Sequence, residues 1–114
     1  MKPIRKINKT EIGVLEYLMK KASIQLRNDW SNNLFIQQLD DGGMGGFLIF
    51  ESKDGTDAKR KFGKQVSEFE FTDDDGVLVL VSLNVDQNNQ PFEVDIWKTN
   101  FDPVIKLKIP PLLI

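Results

Sequence analysis

Apolar residues recur at three- and four-residue spacings in the first part of the chain, then change to alternation after Asn28. The first pattern predicts a helix from about Asn8 to about Leu26. Ile12, Leu15, Leu18, Met19 and Ala22 lay one apolar stripe along it, as expected of a helix packed on a core. Asn8 is a good N-cap, because its side-chain oxygen can accept a bond from an orphaned backbone N–H. Glu11 stands at N3 of a capping box, and Ile7 and Ile12 occupy the positions of a hydrophobic staple. Gly13 costs about 1 kcal/mol of helix propensity against alanine, which the pattern survives.

Asp29-Trp30-Ser31-Asn32-Asn33 reads as a turn, and five strands are predicted beyond it: Leu34–Leu39, Gly46–Ser52, Gln65–Phe71, Val77–Val85 and Phe92–Lys98. The connections are rich in Asp, Asn and Gly, which suit turns. Short turns favour antiparallel pairing, since parallel strands need long crossovers. The expected fold is therefore α+β: one N-terminal helix packed on a five-stranded antiparallel meander sheet, in a single domain over residues 1–114.

The last hairpin fixes a register. Val77, Val79, Val81, Leu83 and Val85 share one face of their strand, and Phe92, Val94 and Ile96 share one face of the next. Matching these faces pairs Val85 with Phe92, Leu83 with Val94 and Val81 with Ile96. A one-residue slip would reverse every side chain. The same register pairs Asn84 with Glu93, Ser82 with Asp95 and Leu80 with Trp97 on the opposite face. Leu78, Leu80 and Trp97 on that face call for a cover. The apolar segment Val104–Ile114 is the candidate, folded across that second face or held against a neighbouring subunit. Pro110 and Pro111 prevent it from continuing as a central strand.

Composition narrows the chemistry. The chain contains no cysteine and no histidine, which closes thiolate chemistry, disulfides, Ser-His-Asp arrangements and the usual zinc sites. No cofactor or metal is implied. Fifteen basic and seventeen acidic residues give a net charge of −2, so there is no global pull towards phosphate backbones or anionic membranes. No apolar run approaches the roughly eighteen residues of a membrane span, and no apolar stretch follows the basic N-terminus as in a signal peptide. A cytoplasmic location without membrane contact is the expectation.

Five constellations invite chemical readings. Asp40-Asp41-Gly42-Gly43-Met44-Gly45-Gly46 lacks the spacing and the lysine of a phosphate loop, and it joins two strands, so it reads as a hairpin loop permitting close backbone approach. Asp73-Asp74-Asp75-Gly76 and Asp86-Gln87-Asn88-Asn89-Gln90 resemble calcium loops superficially. Counted from Asp86, however, the sixth residue is Pro91 and the twelfth is Trp97, where glycine and glutamate are needed. Both read as solvated hairpin turns. Lys59-Arg60-Lys61 and Lys64, with Phe62 between them, form the dense basic cluster and offer a weaker nucleic-acid reading. Ser82, Asn84, Glu93 and Asp95 with Trp97 form the leading candidate site: two carboxylates and two hydrogen-bonding side chains beside an indole. An aromatic among acids suits a protein-binding surface, whereas two neighbouring carboxylates could also serve a small-ligand site or a hydrolase.

Asp41-Gly42-Gly43-Met44-Gly45, Ser82-Leu83-Asn84-Val85-Asp86 and Phe92-Glu93-Val94-Asp95-Ile96-Trp97-Lys98 resemble the signature segments of a small bacterial family catalogued only as a domain of unknown function. The helix opening from Arg5-Lys6-Ile7-Asn8 to Leu18 is similar as well, although Asn8 stands where threonine is expected. The resemblance implies no activity, cofactor or substrate. Small stand-alone bacterial domains include immunity proteins that neutralise a toxin, an analogy at the level of size and context. The expected function is a non-enzymatic protein-binding module, in its immunity-type form neutralising another protein. The alternatives are the small-ligand or hydrolase reading at Asp95 and Glu93, and nucleic-acid contact through Lys59–Lys64. A homo-oligomer formed through the C-terminal apolar segment is a further expectation.

Overall fold

Asn8 opens the helix as its side chain dictates. Its Oδ1 accepts the Glu11 N–H at 2.8 Å, and Glu11 Oε1 accepts the Asn8 N–H at 3.0 Å, completing the capping box. The computed structural model describes residues 2–54 and 59–110. Helix α1 runs Lys9–Lys21 and ends short of Leu26, because Ser23 takes a left-handed φ of 60°. The Ser23 N–H then donates to Lys20 O, and the Ile24 N–H to Met19 O. These two bonds satisfy the last carbonyls and stop the helix.

The sheet has six strands, one more than expected: β1 Ile4–Lys6, β2 Phe35–Gln38, β3 Phe47–Phe50, β4 Phe62–Thr72, β5 Leu78–Asp86 and β6 Pro91–Lys98. The extra strand is β1. Three residues are too few to show alternation, but Arg5 anchors it to the helix through a two-pronged ion pair with Glu11 at 2.9 and 2.8 Å. Every neighbouring pair is antiparallel, but the order β1-β2-β3-β6-β5-β4 is not a meander. After β3 the chain restarts at the opposite edge with β4, so the last strand fills the sheet's middle and pairs with β3.

The expected β5–β6 register holds at Leu80–Trp97, Val81–Ile96, Ser82–Asp95, Leu83–Val94 and Asn84–Glu93. Val85 departs from it, pairing with Pro91 instead of Phe92. Phe92 is the extra residue of a bulge there, and its ring lies 5.2 Å from the Arg60 guanidinium carbon.

Helix α1 lies on one face of the sheet, over β4 and β5. Val14, Leu15 and Leu18 are buried there against Val79, Val81, Leu83, Val94 and Ile96, and the Tyr17 ring meets Phe69 edge-on at 5.2 Å. Each such side chain contributes about 2 kcal/mol through burial. The C-terminal segment joins this same layer. Val104 and Leu107 pack on the core, and Ile109 reaches Gly13, where an added Cβ would sit 2.7 Å from Ile109 Cδ1. The tail therefore does not cross the second face as expected, and Leu78 and Trp97 stay exposed. Of the expected segment, residues 111–114 lie outside the described residues. No described helix is long and apolar enough to cross a membrane.

One charge sits inside this apolar layer. Inward parity along β6 continues from Val94 and Ile96 to Lys98, which is fully buried. Its Nζ donates to Asp73 Oδ2 at 2.9 Å, Asp75 Oδ2 at 2.7 Å and the Pro103 carbonyl at 3.3 Å. Asp73 is itself buried and accepts the Ile105 and Lys106 N–H groups at 2.8 and 3.1 Å. The Asp73 turn is thus a hairpin turn as expected, but its first carboxylate is not solvated. Burial pushes that carboxyl up, yet the Ile105 N–H, the Lys98 ammonium and the Asp74 and Lys106 N–H groups hold it well below the ordinary carboxylate range.

Lys98→Met removes the ammonium and leaves the buried Asp73 carboxylate without its counter-charge, so the melting temperature should fall by about 10 °C or more. Lys106→Met, on an exposed side chain, should leave it nearly unchanged. Comparable melting of both variants in a calorimeter would show that the buried cluster is dispensable. Gly13→Ala should gain less than the ~1 kcal/mol of helix propensity, because Ile109 must yield. In an Ile109→Ala background the full gain should return, which denaturant titration of the four proteins reads directly.

Candidate functional site

The face of the sheet turned away from α1 carries the predicted site. Ser82 stands opposite Asp95, Asn84 opposite Glu93 and Leu80 opposite Trp97, so the five residues are brought together as the register required. Asn84 Nδ2 donates to Glu93 Oε1 at 2.9 Å, which fixes both side chains and leaves Asn84 buried. Asp95 and Trp97 are exposed, and Trp97 shows 42% of its surface.

The structure extends this patch to residues that sequence reasoning missed. Glu68 lies opposite Ser82 and Glu70 opposite Leu80, adding two exposed carboxylates from β4. The alternation Glu68-Phe69-Glu70-Phe71 carried that signal, once β4 is registered against β5. Phe101, 72% exposed, stacks at 5.9 Å from the Trp97 ring with the planes tilted by 54°. It is held there by a left-handed φ of 67° and by its N–H donating to Lys98 O at 2.9 Å. No spacing rule predicts that turn. Leu78, 38% exposed, completes the apolar group at this end of the face. Among the described residues, the outward positions of this half-sheet hold Glu68, Glu70, Glu93 and Asp95, with no lysine or arginine.

Side chains of the other constellations make contacts within the chain. Asp41 closes the glycine loop on itself, accepting the Met44 and Gly46 N–H groups at 3.0 and 2.9 Å. A carboxylate of the chain thus occupies the place an anion would take. The close approach that the glycines permit is to the chain's own tail: Gly43 O accepts the Val104 N–H at 3.2 Å, and a Cβ at Gly43 would lie 3.1 Å from Pro103. In the basic cluster Arg60 turns inward, donating to Asp86 Oδ2 at 2.8 Å, to the Ile49 carbonyl at 2.7 Å and to the Pro91 carbonyl. Lys59, Lys61 and Lys64 remain exposed. Asp86 in turn caps its own hairpin by accepting the Asn88 and Gln90 N–H groups at 2.8 and 3.0 Å. No group of three or more potential metal-ligating side chains occurs among the described residues.

Burial pushes the Asp86 carboxyl up, but the Arg60 guanidinium and the Gln90 and Asn88 N–H groups outweigh it and leave it below the ordinary carboxylate range. A carboxyl lowered by folding contributes stability that is present above its unfolded pKa and lost as pH falls through the folded value. Arg60→Gln should therefore destabilise the domain at neutral pH. Its deficit should shrink below about pH 4, where Asp86 becomes protonated in the unfolded chain. Urea unfolding of both proteins at neutral and acid pH measures this, and a deficit independent of pH would refute the coupling.

The domain of unknown function DUF6984 matches residues 4–108 of the chain. No curated protein and no solved structure matches it.

Proposed function

We propose, for a chain that belongs to the DUF6984 family, a non-enzymatic role as a protein-binding module that docks through the outward face of β4, β5 and β6. The observation that carries this reading is the exposed apolar group of Trp97, Phe101 and Leu78 at one end of an outward face whose charged positions, Glu68, Glu70, Glu93 and Asp95, are all acidic. Exposed aromatics grouped in this way are the usual anchors of interfaces. A surrounding acidic field favours a basic partner and speeds its approach. Two copies of this face would oppose acids to acids, so the occupant is a different protein with a basic, apolar-centred surface. The immunity-type form of this role, in which docking neutralises the partner, is compatible with that chemistry.

The same residues give less support to a hydrolase. Glu93 is engaged by Asn84, and Asp95 lies on an open sheet surface where water stays in place. Nucleic-acid contact through Lys59–Lys64 loses Arg60, the side chain best suited to phosphate recognition, to Asp86.

Partner recovery with the tagged protein, followed by titration calorimetry, tests the proposal. Trp97→Ala should cost ~2 kcal/mol or more of affinity, and Asp95→Ala should weaken binding in a salt-dependent way. Both side chains are exposed, so thermal stability should change little. A recovered partner that binds both variants with wild-type affinity would overturn the assignment of this face.

A further inference from the structure

The outward face of the sheet does not end at β6. Phe35 stands opposite Phe50 and Gln37 opposite Leu48, while Leu48 faces Glu93 across the β3–β6 pair. Ile36, Phe47 and Ile49, which alternate with them, are buried in the core, so Phe35, Leu48 and Phe50 point to the side away from α1. All three are half-buried. Lys6, opposite Phe35, lies at the far corner, and its Nζ donates to the Asn32 carbonyl at 3.2 Å. The outward positions of β2 and β3 thus carry no acid. The face has two apolar ends: Phe50 with Leu48 at one, and Trp97 with Phe101 and Leu78 at the other. Between them along β6 stand Glu93 and Asp95. At a strand rise of about 3.4 Å per residue, Leu48 lies about 14 Å from Trp97 along the strand direction, and Phe50 about 20 Å.

The backbone of this surface is already used. Strands β3, β6 and β5 each have a hydrogen-bonded neighbour on both sides, so their N–H and C=O groups are paired within the sheet. An extended segment laid across the face would leave its own backbone groups unpaired, whereas a helix satisfies them internally. Strand addition needs an edge, and at the β4 edge Lys21 and Lys108 already donate to the Glu68 and Thr72 carbonyls. The tail is no occupant either, because Val104, Leu107 and Ile109 are committed to the α1 side.

Resting on the reading of this face as a docking surface, we propose that its occupant is one amphipathic helix of the partner, laid along β3 and β6. About 14 residues cover 20 Å at the helical rise. The buried stripe of that helix carries apolar side chains in its first and last turns, over Leu48 with Phe50 and over Trp97. Lysine or arginine occupies the turns between, over Glu93 and Asp95. A stripe apolar throughout would bury the Asp95 carboxylate unpaired, and a stripe basic throughout would leave the apolar ends in water.

Amide NMR of isotopically labelled protein, titrated with stapled helical peptides of about four turns, tests this. The first peptide carries leucines in its first and last turns and two lysines between them, all on one face. The second replaces those lysines with glutamates, and the third moves them to the opposite face. The first should give saturable shifts centred on β3 and β6, and the other two should bind about tenfold or more weakly. Leu48→Ala and Trp97→Ala should each weaken the first peptide about fivefold or more. Both side chains point away from the core, so each variant should keep the wild-type spectrum outside its own neighbourhood. No saturable response to the first peptide, equal binding of all three, shifts centred on α1, or insensitivity to Leu48→Ala would each overturn the helix. A recovered partner that ignores Trp97→Ala and Asp95→Ala would instead overturn the face itself, in a measurement where no peptide takes part.

Discussion

A lysine buried in an apolar layer is the constraint on which this architecture turns. An ammonium without partners would be too costly to keep charged at that depth, so the surrounding chain must supply acceptors in fixed places. Asp73 and Asp75 come from the β4–β5 turn, and the Pro103 carbonyl comes from the segment after β6. Two pieces of chain distant in sequence, the β4–β5 turn and the stretch from Lys98 to Pro103, are thereby fixed together at one end of the sheet. Asp73 then extends the cluster by accepting two backbone N–H groups from the tail, which have no strand partner of their own. The tail is consequently laid over the helix side, with Ile109 at the notch left by Gly13 and Val104 bonded to the glycine loop. A glycine that weakens the helix locally makes sense once the tail needs that space.

That arrangement commits the apolar tail to one face and leaves the other open. The exposed state of Trp97, Leu78 and Phe101 is then a consequence of where Lys98 sits, not a failure to find cover. The two faces of β6 differ by one residue of parity. Val94, Ile96 and Lys98 point inward to the core and its buried charge, while Glu93, Asp95 and Trp97 point outward.

Alternation in the last two strands was strong enough to fix their register, because only one pairing buries Val79 through Val85 with Val94 and Ile96. The helix start was equally legible, since Asn8 and Glu11 form a local motif. Three features escaped for physical reasons. Strand β1 is too short to alternate, and what holds it is an ion pair to Glu11 that has no periodicity. The strand order depends on the chain between Phe50 and Phe62, a connection too long for a tight hairpin, although its turn residues resemble one. The role of Asp73 depends on Lys98 keeping inward parity, and a lysine at a strand end usually reads as the point where the strand meets water. The candidate site followed the same division. Its hairpin half was readable, whereas Glu68 and Glu70 needed the β4 register, which carries two irregularities.

The charges of this protein are sorted by place, and that sorting decides how another molecule could engage it. Arg5 with Glu11, Arg60 with Asp86, and Lys98 with Asp73 each join separate elements on or beside the core side. The long edge strand β4 would otherwise offer unpaired backbone groups for strand addition. There, however, Lys21 donates to the Glu68 carbonyl, Lys108 donates to the Thr72 carbonyl at 2.9 Å, and shifts in register interrupt the β4 pairing between Phe62 and Ser67. Two cations thus occupy the edge that an incoming strand would need, and the bulges bend its other half. Asp95 and Glu70, on the outward face, form no ion pair among the described residues. A partner drawn by negative charge would therefore approach the face and not the edge. It would meet the aromatic pair at one end of that acidic face, where an exposed apolar anchor can be desolvated.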